Sequence, residues 1–294
     1  MAVVQSLIDA IAQGAIFALV AIGIGLVFGV MRLVNFAQAS LLTAAGYTLA
    51  QTNGWPKAAS ILMAILCTVG LSLVMALAFR PLRRAAPATM LVATFAVTFL
   101  LQSIALLHFG SLGTGVGVLG ELNRTIDAGP LLIRKVTIVA VAVGAILLAG
   151  TVLLLNRTSI GLQMRAAAAD PRTAQILGVR TDTVIVFAFL LAGFLAAAAG
   201  ILLTVQTPVV TPDYGIQVTI LALVGVVVGG LERLWTATLG GFAIGFAFSF
   251  IGSRLPTDKS VFLPSFVFVL VIAVLLLRPD GLFAPLQKRT VERV

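Results

Sequence analysis

Charge is scarce in this chain. Of 294 residues only 10% are Asp, Glu, Lys or Arg, and only 10 are acidic. A soluble domain typically carries about 25% charged residues. With 60% hydrophobic residues and a mean hydropathy of +1.15, no soluble fold could hide the apolar surface. Cys67 is the only cysteine and lies inside an apolar run, which excludes a disulfide framework and a thiolate metal centre. His108 is the only histidine, near the end of an apolar run, and is expected to be packed or interfacial rather than a ligand. The sequence has no GxxxxGK[ST], HExxH or GxSxG, so neither a P-loop nor a hydrolase centre is encoded. Only Asp9 falls within an expected span, which leaves no embedded carboxylate and histidine chain for proton relay.

Long apolar runs dominate instead. Nine segments, bounded by Pro, Gly or charge, lie near residues 7–30, 37–50, 58–79, 89–109, 136–155, 183–206, 216–229, 236–252 and 262–277. Lipid offers backbone groups no partner, and the runs do not alternate as barrel strands would, so each must be helical. The expected fold is an all-α polytopic membrane protein of about 8–9 transmembrane helices in one domain, residues 1–294, with the bilayer as its solvent. No Lys or Arg precedes Arg32, so the first run lacks the basic flank of a cleaved signal and is expected to remain a span.

The net charge of +9 comes from basic residues in the loops. No basic stripe with interleaved aromatics exists, so nucleic acid is not the expected partner. Placing the N-terminus outside puts 13 of the 19 basic residues on the cytoplasmic side and six outside. That bias sets an external N-terminus and a cytoplasmic C-terminus.

Segments two and seven are the shortest, near 13 residues or about 20 Å of helix, against about 30 Å of hydrocarbon. Each is the second member of a four-segment group, with segment five between the groups. Paired short segments in corresponding positions of inverted halves point to a transport pathway. The longest cytoplasmic loop, residues 156–182, carries Asp170 and Pro171 as a helix start and Gly178 as a stop. These bound a short exposed helix from Pro171 to Leu177, whose Ala174, Ile176 and Leu177 suit a docking element.

Polar residues form stripes along the spans. Phe36, Ser40, Thr43 and Tyr47 share one face of segment two, with Asn35 as the expected N-cap. Thr94, Thr98 and Gln102 share a face of segment four, Gln5, Asp9 and Gln13 one of segment one, and Tyr214, Gln217 and Thr219 cluster at the start of segment seven. The pairs Gly25 and Gly29, Gly225 and Gly229, and Gly241 and Gly245 have the spacing of close helix packing.

Four stretches resemble a known family: GIGLVFGVMRLVNFAQAS at 23–40, TSIGLQMRAAAADPRTAQILGV at 158–179, VGGLERLWTATLGGFAIG at 228–245 and LRPDGLF at 277–283. In this order they are similar to the membrane permease of branched-chain amino acid ABC importers, the LivH type. Related permeases serve urea, short amides and other small polar molecules. The resemblance implies a multi-pass subunit of the bacterial plasma (inner) membrane that pairs with a second, homologous permease. Two cytoplasmic ATPases would bind ATP-Mg beneath it, leaving this chain without a cofactor or enzymatic activity. An extracytoplasmic binding protein would deliver substrate.

The loop helix matches the element that seats on the ATPase in such importers, which makes Arg165, Asp170, Pro171, Arg172, Ala174, Leu177 and Gly178 the expected coupling residues. The expected substrate path takes in Asn35, Gln38, Ser40, Thr43, Tyr47, Thr94, Thr98, Gln102, Tyr214 and Gln217. Many relatives read NFAHGE where this chain has NFAQAS, and GGxGSxxGAxLGG where it has GGLERLWTATLGG. The competing reading from the residues is a self-sufficient secondary carrier or channel for a small polar solute.

Overall fold

A computed structural model describes residues 2–84, 86–128, 131–230 and 233–278. Nine helices fall on the nine apolar segments: α1 (Ala2–Met31), α2 (Gln38–Gln51), α3 (Lys57–Ala78), α4 (Pro87–Phe109), α5 (Lys135–Arg157), α8 (Thr181–Gln206), α9 (Tyr214–Gly229), α10 (Leu234–Gly252) and α11 (Leu263–Leu277). Two more, α6 (Ser159–Ala169) and α7 (Pro171–Ile176), lie in the 156–182 loop. The chain is an all-α polytopic membrane protein in which, among the described residues, seven helices are long and apolar enough to cross a bilayer, while α2 and α9 are short.

Two small sheets lie beyond what the apolar runs indicate. Strand β1 (Thr114–Gly115) pairs with β4 (Val209–Val210), and β2 (Thr125–Ala128) with β3 (Leu131–Arg134), both antiparallel. They gather at the end of the bundle where α2 finishes, since Asn53 donates to the Gly115 carbonyl and accepts from the Gly117 N–H. At the same end the Lys57 ammonium donates to Glu121 and holds its carboxyl below the usual range.

Glycines set the packing. The α1–α10 pair runs antiparallel, because Gly241 sits against Ala21 and Gly245 against Phe17. Gly225 and Gly229 place α9 backbone on Gly241 and Thr236 of α10, where a Cβ would come within 2.7 Å and 2.0 Å of the facing backbone. On the other flank α3 runs antiparallel to α8, joined by Gly193 against Ser72 and by the Ser72 hydroxyl donating to the Phe189 carbonyl at 2.6 Å. These pairs meet the expectation of close packing, but Gly29 does not: a Cβ there would reach only Ala168 at 4.0 Å.

The short helices begin deep in the bundle. Gln38 is 1% exposed and its Nε2 donates to the carbonyl of Ala192, about 16 Å along α8 from its start. From there α2 runs parallel to α8, with Leu42 and Ala45 against Gly200 and Gly46 against Thr204, toward the β end. Helix α9 starts beside the first turn of α2 and runs the opposite way, to the α6–α7 end, where Gly229 meets Thr236. Its Gly215 is so close to α2 that a Cβ would lie 2.0 Å from the Ala39 carbonyl oxygen. Only glycine fits there.

One helix boundary differs from expectation and one agrees with it. Helix α2 starts at Gln38 rather than after Asn35, with Ala37 at its N-cap position. Asn35 instead closes the preceding turn, its Oδ1 accepting from the Ala37 N–H at 3.1 Å, and the next amides bond within that turn. The loop helix α7 begins at Pro171 as expected and is stopped by Gly178 at φ +87, with the Val179 N–H bonded to the Ala174 carbonyl. The LRPDGLF residues after Arg278, and Glu232, lie outside the described residues.

Candidate functional site

Helix α4 leans on α2 and the turn before it through two aromatic stacks. Phe36 stacks on Phe95 with ring centroids 4.0 Å apart, and Tyr47 on Phe109 at 3.9 Å. Between α2 and α4 these contacts leave a cavity of about 310 Å³. On the α2 side Ser40, Thr43, Tyr47, Thr48 and Gln51 line it and on the α4 side Gln102 and His108, while Ala44, Leu71, Pro212 and apolar residues of α4 make up most of the remaining wall. From Ser40 to Gln51 it extends about 16 Å along α2, from the buried crossing to the β end.

Among the described lining residues none is a carboxylate, lysine or arginine. The polar groups are hydroxyls, carboxamides and one imidazole, which can hydrogen-bond a small neutral or zwitterionic solute. Tyr47 is the clearest open group, since its ring is 5% exposed and its buried hydroxyl has no hydrogen-bond partner. The Thr43 hydroxyl has its proton committed. It accepts from the Gly215 N–H at 3.0 Å and donates to the Ala39 carbonyl at 3.2 Å, tying the two short helices at their crossing.

The residues expected on the path divide accordingly. Ser40, Thr43, Tyr47 and Gln102 line the cavity together. Asn35 and Gln38 lie below it, where Gln38 braces α2 to α8 and Asn35 keeps a buried Nδ2 without a partner. Thr94 and Thr98 are buried and donate to carbonyls of their own helix, at Leu91 and Thr94. Tyr214 shares a hydrogen bond with Thr207, and Gln217 is exposed on α9. Asp9 joins α1 to α5 by accepting from Gln5 and Thr137.

His108 and Gln51, whose Nε2 atoms lie 3.5 Å apart, are lining residues not anticipated from the sequence. Gln51 extends the Ser40, Thr43 and Tyr47 stripe by one turn, which was a readable signal.

The loop of α6 and α7 sits at the opposite end. Ala174 is packed inward at 2% exposure, whereas Ile176 and Leu177 stand 85% and 77% exposed. Asp170 ends α6 and accepts from the Thr173 hydroxyl, and Arg165 donates to Asn156 at 3.3 Å. Pro171 and Arg172 open α7. At this end Arg32 donates to the Ala168 carbonyl of α6 at 2.6 Å, and Arg80, just after α3, pairs with Asp182 in the first turn of α8 at 3.0 Å.

Residues 6–276 match the family described as branched-chain amino acid transport system / permease component. The chain is 28% identical to the high-affinity branched-chain amino acid transport system permease protein BraD of Pseudomonas aeruginosa, covering 99% of this chain and 97% of that one. It is likewise 28% identical to the permease protein LivH of Escherichia coli K12, with coverage of 99% and 97%. In fold it is similar to a chain of PsaBC from Streptococcus pneumoniae in complex with Fab, with a TM-score of 0.50, 13% identity and coverage of 92% and 89%.

Proposed function

This chain belongs to the branched-chain amino acid transport system permease family, and from that premise we propose that it moves a branched-chain amino acid or a related small amide along the α2–α4 cavity. It is a permease subunit of an ABC importer and not itself an enzyme. The observation that carries the reading is the set of uncharged hydroxyl, carboxamide and imidazole groups in the largely apolar wall of that cavity, with the unpartnered Tyr47 hydroxyl among them. A zwitterion carries no net charge, so such a wall can pass it without trapping it. The departure from NFAHGE bears on this wall at Ser40, whereas Gln38 changes a brace.

In this reading the β end is external, the α6–α7 end cytoplasmic, and the protein lies in the bacterial inner membrane. The two halves, α1–α4 and α8–α11, are inverted repeats. Exchanging them turns α1–α10 packing into α8–α3, α2–α3 into α9–α10, α1–α9 into α8–α2, and α2–α4 into α9–α11, and each of these contacts is present. A second homologous permease pairs with this chain, two ATPases bind ATP-Mg below, and a binding protein delivers substrate at the β end.

The 156–182 loop is the coupling element. The exposed Ile176 and Leu177 seat on an ATPase, and closure reaches the spans through Arg32–Ala168 and Arg80–Asp182. Rocking of one half on the other then turns about the Thr43–Gly215 crossing.

Reconstitution decides between this and a self-sufficient carrier. Proteoliposomes holding the permease pair, ATPases and binding protein should take up leucine only with ATP, and this chain alone should take up none; uptake by this chain alone overturns the reading. Deleting residues 171–177 should abolish ATPase association while insertion persists, and unchanged association would sink the coupling role.

A further inference from the structure

A second cavity, of about 500 Å³, lies on the other side of the bundle, between α5 and α10. Its floor is a stripe of α1, Ala18, Ile22, Gly25 and Gly29, which extends about 16 Å along that helix. That length matches one leaflet of a hydrocarbon core about 30 Å thick. Leu148 and Val152 form one wall, and Leu234, Leu239 and Phe242 the other. At Gly29 a Cβ would meet only Ala168, at 4.0 Å, so the floor is open there.

The chemistry changes at the α6–α7 end. There Arg32, Arg165 and Asn156 line the mouth, and among the described lining residues none is acidic. Arg32 ends α1 at φ +56, a left-handed conformation that normally favours glycine. An arginine held in a strained position is an observation to be explained by what its charge does there. Its Nη2 grips the Ala168 carbonyl, one turn from Arg165 on α6, and each guanidinium has five donors of which these bonds use one. Trp235, 58% exposed, stands on the wall beside this mouth.

We propose that this cleft binds an anionic phospholipid of the leaflet at the C-terminal end of α1, one acyl chain lying on the α1 stripe and the phosphate held by Arg32 and Arg165. Arginine forks match phosphate oxygens, and the leaflet-long apolar trough beneath them matches an acyl chain. The site is separate from the α2–α4 cavity and from α7.

The test uses the full chain in bilayers with Trp55→Phe, which leaves Trp235 as the reporter. Brominated phosphatidylglycerol should quench it at a several-fold lower mole fraction than brominated phosphatidylcholine. Arg32→Gly relieves the backbone and removes the cation, so it should fold and weaken the preference about fivefold. Gly29→Leu should fill the floor and lower quenching by both lipids. Trp55, observed in Trp235→Phe, should show no preference. Equal quenching by the two lipids, or a preference that survives Arg32→Gly combined with Arg165→Gln, overturns the proposal.

Discussion

Helices α2 and α9 are counterparts in length and in depth, yet their chemistry differs. Both begin at the crossing fixed by Thr43 and Gly215, and they run to opposite ends of the bundle. Helix α2 carries Ser40, Thr43, Tyr47 and Gln51 along one face of a cavity. Helix α9 packs Gly225 and Gly229 onto α10 and contributes nothing to that cavity. On the proposed reading, one architecture serves as a lined path in the first half and as a strut in the second. The contrast teaches that symmetry of helices does not carry symmetry of function, which resides in the side chains placed on them.

Substitutions in the strut should damage the fold, and those in the path should damage transport. The largest effect is expected at the close approaches. Gly215→Ala or Gly229→Ala forces a Cβ to 2.0 Å from a carbonyl oxygen, and overpacking of this kind costs about 1–3 kcal/mol or more. A thermal melt of the purified chain should show both variants strongly destabilised, and a wild-type melt would break the close-packing account.

Next is Tyr47→Phe. It removes a buried hydroxyl that has no partner, so the melt should be unchanged or slightly raised, while the concentration for half-maximal uptake should rise several-fold, the equivalent of about 1 kcal/mol for one lost hydrogen bond. Gln38→Leu should do the reverse, lowering stability by about 0.5–1.5 kcal/mol and leaving substrate preference alone, because its amide braces α8.

The smallest effect is at the β end. The Glu121 carboxyl is lowered by Lys57, so its contribution is complete above the ordinary carboxylate range and is lost only as pH falls through the lowered value. Glu121→Gln should therefore leave the melt flat between about pH 5 and 8, as expected for an exposed pair.

The spans were readable because long apolar runs have one solution in lipid, and the shortness of segments two and seven was readable as length. Depth was not. That α2 starts beside Ala192 depends on the fold of residues 32–37, which no apolar count registers. Gln38 precedes Ser40 by two residues, about 200° around the helix, so its place outside the α2–α4 cavity follows from helix geometry alone. Thr94 and Thr98 looked alike to Gln102 in sequence, but a hydroxyl can satisfy itself on its own helix and a carboxamide reaches further. Helix α6 has no long apolar run to mark it, because Gln163 and Arg165 break the stretch ahead of its four consecutive alanines. A lone histidine at the end of an apolar run carries no signal of a site, and the approach of α4 to α2 brings His108 beside Gln51.

The division between path and strut is tested most directly by thiol labelling in a Cys67→Ala background. Ser40→Cys on α2 and Gln217→Cys on α9 would each be assembled with the partner chains and exposed to a membrane-impermeant maleimide from the β end. ATP-driven leucine uptake should stop on labelling Ser40→Cys and continue on labelling Gln217→Cys. Uptake that survives full labelling of Ser40→Cys, or that is blocked at Gln217→Cys instead, contradicts the account.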